Sequence, residues 1–90
     1  MEANYQFTPA QEGTYHGVFQ HPVARDLSWP EVRSMLGAMA KVVVGHDGAI
    51  QVTRNGQSLV LPRPRKNVAQ VQEVMEIRRF LDRSAPAPGV

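Results

Sequence analysis

The stretch KVVVGHDGAIQVTRNGQSLVLP, residues 41–62, sets β-branched runs on either side of two glycine turns, Asp47-Gly48 and Asn55-Gly56. Runs this short and this rich in valine and isoleucine read as strands. Asn-Gly is the strongest short hairpin signal, because both central residues of a type I′ turn need positive φ. With Asn55-Gly56 as a two-residue loop, Arg54 faces Gln57, Val52 faces Leu59 and Ile50 faces Leu61. The four apolar residues then share one face and Gln51, Thr53 and Ser58 take the other, so register and polarity agree. The first turn has two readings: a two-residue loop pairs Val43 with Val52, and a four-residue loop pairs it with Ile50. Both send Val43 inward. They leave Val42, Val44 and Val60 on the outer face, an apolar surface suited to a protein partner or to the N-terminal arm.

Upstream, LSWPEVRSMLGAMA carries a helix start. Ser28 and Glu31 form a capping box, Leu27 and Val32 a hydrophobic staple, and Pro30 lies in the first turn, where a missing N–H is harmless. Trp29, Val32, Leu36 and Met39, with Met35 beside them, recur at helical spacing and make the buried face. Downstream, NVAQVQEVMEIRRFLDRS predicts a second helix, with Asn67 and Gln70 as its capping pair. Val68, Val71, Val74, Met75, Ile77 and Leu81 form its apolar face, and Arg78 projects into that face, where it must snorkel or find a partner. The predicted fold is therefore an α+β two-layer sandwich: helix, three-stranded antiparallel meander, helix.

Outside this unit, residues 1–14 lack periodicity and are expected to be a flexible arm, and SAPAPGV, residues 84–90, is expected to be a disordered tail. Residues 15–83 form the domain. Ninety residues suit a single domain, and no apolar run approaches the roughly 20 residues of a membrane span. The opening residues lack the basic and apolar regions of a signal peptide, so a cytoplasmic location is expected. Cysteine is absent, which removes disulfides, thiolate catalysis and the commoner zinc sites; His16, His21 and His46 lack ligand spacing, so neither a metal nor another cofactor is expected.

FQHP (residues 19–22), LSWPEVRSML, VTRNG, the RP at Arg63-Pro64 and IRRFL (residues 77–81) occur in an order and spacing that resemble the HicA-type toxin family. Members are small bacterial mRNA interferases with the fold of a double-stranded-RNA-binding domain, and the resemblance covers residues 18–84. It implies RNA as a ligand and an antitoxin as a protein partner. The family's catalytic histidine, the base at the RNA 2′-hydroxyl, belongs to a Gly-Ser-His-like segment opening the second strand. Counted back from Asn55-Gly56, that place falls on Asp47, Gly48 and Ala49, and no histidine stands there. His46 is the nearest candidate for a catalytic role.

Net charge is only +2, so the placement of the cations matters more than their sum; eight of the ten are arginine, whose planar fork matches phosphate. PRPRK, residues 62–66, joins the last strand to the last helix. Arg63, Arg65 and Lys66 are expected to bind phosphate there with help from the helix dipole, and Arg54 at the hairpin tip to extend the footprint. Alternatively, the two prolines stiffen a connector whose cations are merely solvated. The expected function is a HicA-like RNA-binding protein with reduced or lost ribonuclease activity; the alternatives are an active interferase and a protein-interaction module on the same scaffold.

Overall fold

The computed structural model describes residues 7–85. In chain order these form helix α1 (Pro9–Val18), helix α2 (Trp29–Met39), strands β1 (Lys41–Val44), β2 (Ile50–Arg54) and β3 (Gln57–Leu61), and helix α3 (Val71–Arg83). The strands make one antiparallel sheet in the order β1-β2-β3, so α2, the meander and α3 give the α+β arrangement read from the sequence. Among the described residues, no helix is long and apolar enough to cross a membrane.

The start of α2 is as its sequence dictates. The Ser28 hydroxyl accepts from the Glu31 amide at 3.3 Å, the Glu31 carboxylate accepts from the Ser28 amide at 3.4 Å, and Pro30 fills the first turn. The buried face comprises Trp29, Val32, Met35, Leu36 and Met39. These pack with Ile50, Val52 and Leu61 of the sheet and with Val74, Ile77, Phe80 and Leu81 of α3 in a single core. Full burial of each large apolar side chain contributes about 1.5–3 kcal/mol, so this shared core is the main cohesive term between the layers.

The two hairpins differ. At Asn55-Gly56 both φ angles are positive, 51° and 79°, and Arg54 pairs with Gln57, Val52 with Leu59 and Ile50 with Leu61, as predicted. In the other hairpin, Val44 pairs with Ile50 and Val42 with Val52, a register between the two that the sequence suggested. The loop has three residues, His46, Asp47 and Gly48, closed by the Gly45 amide on the Ala49 carbonyl at 2.9 Å. Gly48 adopts φ 88°, and the Asp47 carboxylate accepts from the Ala49 amide at 3.1 Å. This is the three-residue turn in which a left-handed glycine forms the bulge. An odd loop in place of an even one flips every side chain of β1. Val42 and Val44 thus lie on the helix-bearing face, and Val43 joins Val60 on the outer face, which corrects the expected outer set of Val42, Val44 and Val60.

Two boundaries also move. The expected N-terminal arm contains α1 instead, and the helix begins before residue 14 because Thr8 and Gln11 form a capping box of their own. The Gln11 amide donates to the Thr8 hydroxyl at 3.1 Å, the Thr8 amide donates to the Gln11 side chain at 2.9 Å, and Pro9 opens the helix. Residues 1–6 of the arm lie outside the described residues. α1 docks on the segment entering α2, where Gly17 lets Leu27 approach, and on α2 itself, where the Gln11 side-chain amide donates to the Ser34 carbonyl and hydroxyl at 3.2 and 3.0 Å. At the other end, α3 starts at Val71 with Gln70 as its N-cap, its amide held by Glu73 at 2.8 Å. Asn67 therefore does not cap it. The residues before it are drawn out to pair with the chain entering α2: Trp29 donates to Asn67 at 2.7 Å and Ala69 donates to Leu27 at 2.8 Å. Ser84, assigned to the tail, is buried at the end of α3, and residues 86–90 lie outside the described residues.

Candidate functional site

The connector from β3 to α3 contains Pro62 and Pro64, which fix their own φ and hold Leu61 and Arg63 in extended backbone. The chain then bends at residues 65–67, and Arg63, Arg65 and Lys66 are all exposed. They border a groove of about 410 Å³ whose other walls are the N-terminal half of α2, at Trp29, Pro30 and Arg33, and the β1–β2 hairpin, at Val44, Gly48 and Ile50. Arg33 follows Pro30 by three residues and so lies on the same side of α2. The groove thus gathers four cationic side chains from two segments, and no carboxylate lines it. Among the described residues none of the four makes a hydrogen bond or an ion pair within 4.0 Å.

Gly48 gives this groove part of its shape. A Cβ at that position would approach Cδ and Cγ of Arg63 to 2.8 Å and its Cβ to 3.2 Å, so the stem of Arg63 lies directly across the hairpin glycine. The other side of the connector is a second concavity of about 300 Å³, which includes Arg63, Arg65 and Lys66 but also Gln70 and Glu73. The Glu73 carboxylate makes that side less hospitable to an anion.

The expected help from a helix N-terminus is absent on the groove side. No residue of α3 lines the groove; its N-cap Gln70 and Glu73 of its first turn share the second concavity with the connector cations instead. The first turn of α2 does border the groove, but its amides are occupied. Trp29 donates to the Asn67 carbonyl, Pro30 has no N–H, Glu31 donates to the Ser28 hydroxyl, and Val32 donates to the Ser28 carbonyl. Anion attraction in the groove therefore rests on the side-chain charges.

The structure divides the residues singled out in the sequence. Arg63, Arg65 and Lys66 come together with Arg33, which sequence reasoning missed because it read that helix only for its buried face. Arg54 does not join them. It projects from the inner face of β2, is 8% exposed, and directs its guanidinium at the Leu81 carbonyl and the Ser84 hydroxyl, 3.5 and 3.4 Å away. Its alternation with Ile50 and Val52 sends it inward, and the end of α3 supplies acceptors there, so it is removed from the expected phosphate footprint. His46 is exposed at the tip of the β1–β2 turn, two residues from Gly48, and is not part of the groove lining.

The expected partner surface is also redistributed. Val44 lines the groove, Val42 packs half-buried against the core, and on the outer face Val43 and Val60 are separated by Gln51 in one row across the strands. No contiguous apolar patch results from that row. Among the described residues, no three His, Asp or Glu side chains cluster as a metal site. Comparison with protein-family models, with curated proteins and with solved structures found no match.

Proposed function

We propose that the protein binds the phosphate backbone of RNA through the groove formed by Arg33, Arg63, Arg65 and Lys66, as a HicA-like RNA-binding protein of toxin–antitoxin type whose ribonuclease activity is reduced or lost. The observation that carries the reading is the convergence of these four cations on a groove without a carboxylate. Neutralised phosphates release counterions, so such a site binds in a strongly salt-dependent way. Shape and backbone, not base stacking, suit it: Trp29, the aromatic residue at the groove, is only 4% exposed and offers no platform to a base. The helix, meander and helix order and the sequence resemblance favour a duplex as the ligand, since double-stranded-RNA-binding domains recognise shape and phosphates.

The reading of reduced or lost cleavage rests on the groove lining, which holds no histidine. A ribonuclease of this type needs a group that titrates near neutrality beside the 2′-hydroxyl, and arginine and lysine do not. The test is fluorescence anisotropy of labelled duplex RNA, first at low salt and then across a salt series, followed by recovery of the RNA on a gel. Expected are binding that weakens with salt, its loss in Arg63→Glu/Arg65→Glu, and intact RNA. No binding at low salt would refute the reading, and cleavage suppressed by His46→Ala would replace it with an active interferase.

A further inference from the structure

We infer that Gly48 is a positioning residue of the groove: the β1–β2 turn is the seat on which the Arg63 side chain rests, and only a residue without a Cβ leaves that seat free. The inference rests on the phosphate-binding reading and adds the hairpin to it. Three observations carry it. The Arg63 stem crosses Gly48 so closely that an added Cβ would stand 2.8 Å from both Cγ and Cδ and 3.2 Å from Cβ. The contact involves the root of the side chain, not its mobile end, so a small rotation of the guanidinium does not relieve it. Arg63 also stands between Pro62 and Pro64, whose rings restrict the backbone that would otherwise retreat. A methyl group at position 48 must therefore turn the whole Arg63 side chain out of the groove wall.

The turn also explains why this seat exists. The three-residue loop places Gly48 at φ 88° on the groove side of the hairpin, where it and Val44 both line the cavity. An even loop would reverse the faces of β1 and remove Val44 from that wall. The same turn that sets the sheet register thus supports one of the groove's cations.

The molecule holds a matched control. Gly56 has a similar positive φ, 79°, in the other hairpin, but nothing lies within 4 Å of a Cβ built on it. Gly48→Ala and Gly56→Ala share the conformational strain of a left-handed alanine. They differ in the collision with Arg63.

The experiment measures binding of labelled duplex RNA across a salt series for wild type, Gly48→Ala, Gly56→Ala, Arg63→Ala and Gly48→Ala/Arg63→Ala, with circular dichroism establishing that each is folded. One phosphate contact contributes about 0.9 to the slope of log affinity against log salt, or about threefold in affinity between about 50 and 200 mM. Arg63→Ala is expected to lose about one such contact, Gly48→Ala most of it, and Gly56→Ala none. The double variant should match Arg63→Ala. A wild-type slope in Gly48→Ala would overturn the inference, as would an equal loss from Gly48→Ala in the Arg63→Ala background or in Gly56→Ala. If Gly48→Ala does not fold, Gly48→Asn, which tolerates positive φ yet carries a Cβ, is expected to lose the same contact, and a wild-type slope there would overturn the inference equally. Absence of salt-dependent binding by the wild type would instead refute the groove's assignment to phosphate.

Discussion

Arg54 and Arg78 are turned toward helix C-termini inside the fold, whereas Arg33, Arg63 and Arg65, with Lys66, border an open groove. Arg78 donates from Nε and Nη2 to the Val18 carbonyl at 3.0 and 2.9 Å and from Nη2 to Gln20 at 2.9 Å, with its guanidinium over the Phe19 ring. It closes the end of α1 as Arg54 closes the end of α3. The last carbonyls of a helix lack intrahelical donors and carry partial negative charge, so a guanidinium there satisfies both needs. The groove arginines meet no carbonyl or carboxylate among the described residues and leave their donors facing solvent. The same side chain is a structural tie in one place and an exposed cation in the other, according to which acceptors the fold brings within reach.

The largest effect on stability is expected at Arg54. Replacing it by Met keeps the bulk but leaves the acceptors at Leu81 and Ser84 without their charged donor, with an expected loss of about 2–3 kcal/mol of unfolding free energy in a denaturant titration. An unchanged midpoint would mean that the guanidinium holds nothing. Arg78→Ala should cost about 1–2 kcal/mol, less because the residue is only half-buried, and hydrogen exchange should show the loss concentrated in α1. Uniform loss of protection would show that α1 has no separate dependence on this tie.

The groove cations should behave in the opposite way. Arg63→Glu/Arg65→Glu is expected to stay within about 0.5 kcal/mol of wild-type stability while losing RNA binding, so one protein preparation checks both halves of the contrast. A large drop in stability would place these arginines with Arg54. The smallest effect is expected from Arg33→Ala or Lys66→Ala, each lowering the salt slope of RNA binding by about one with no sequence preference. An Arg33→Ala variant with the wild-type slope would remove α2 from the interface.

Much of the fold was legible because its signals are local. Ser28 and Glu31 cap α2 across one turn, and Asn55-Gly56 sets a hairpin whose pairs follow by counting. The same capping logic holds at Thr8 and Gln11, but α1 lacks a strong apolar stripe to mark it as a helix and gains its place by docking against α2 and the segment entering it through Gln11 and Gly17. The site was half legible. PRPRK announces exposed cations because two prolines and three cations in five residues suit a surface connector, but nothing in residues 62–66 indicates that Arg33, some 30 positions earlier, stands across the same groove.

By itself, then, the sequence determined the α+β order, the cap of α2, the second hairpin and the exposure of Arg63, Arg65 and Lys66, all through interactions among residues a few positions apart. Tertiary structure decided the rest. The first hairpin could close with an even or an odd loop, and the odd one sends Val42 toward the core and Val44 to the groove. Asn67 resembled a helix cap until the chain entering α2 drew residues 67–69 into pairing. Arg54 resembled a surface cation until the end of α3 arrived with its acceptors. In each case the local free-energy differences between alternatives are small, and burial and hydrogen bonding between distant segments select among them.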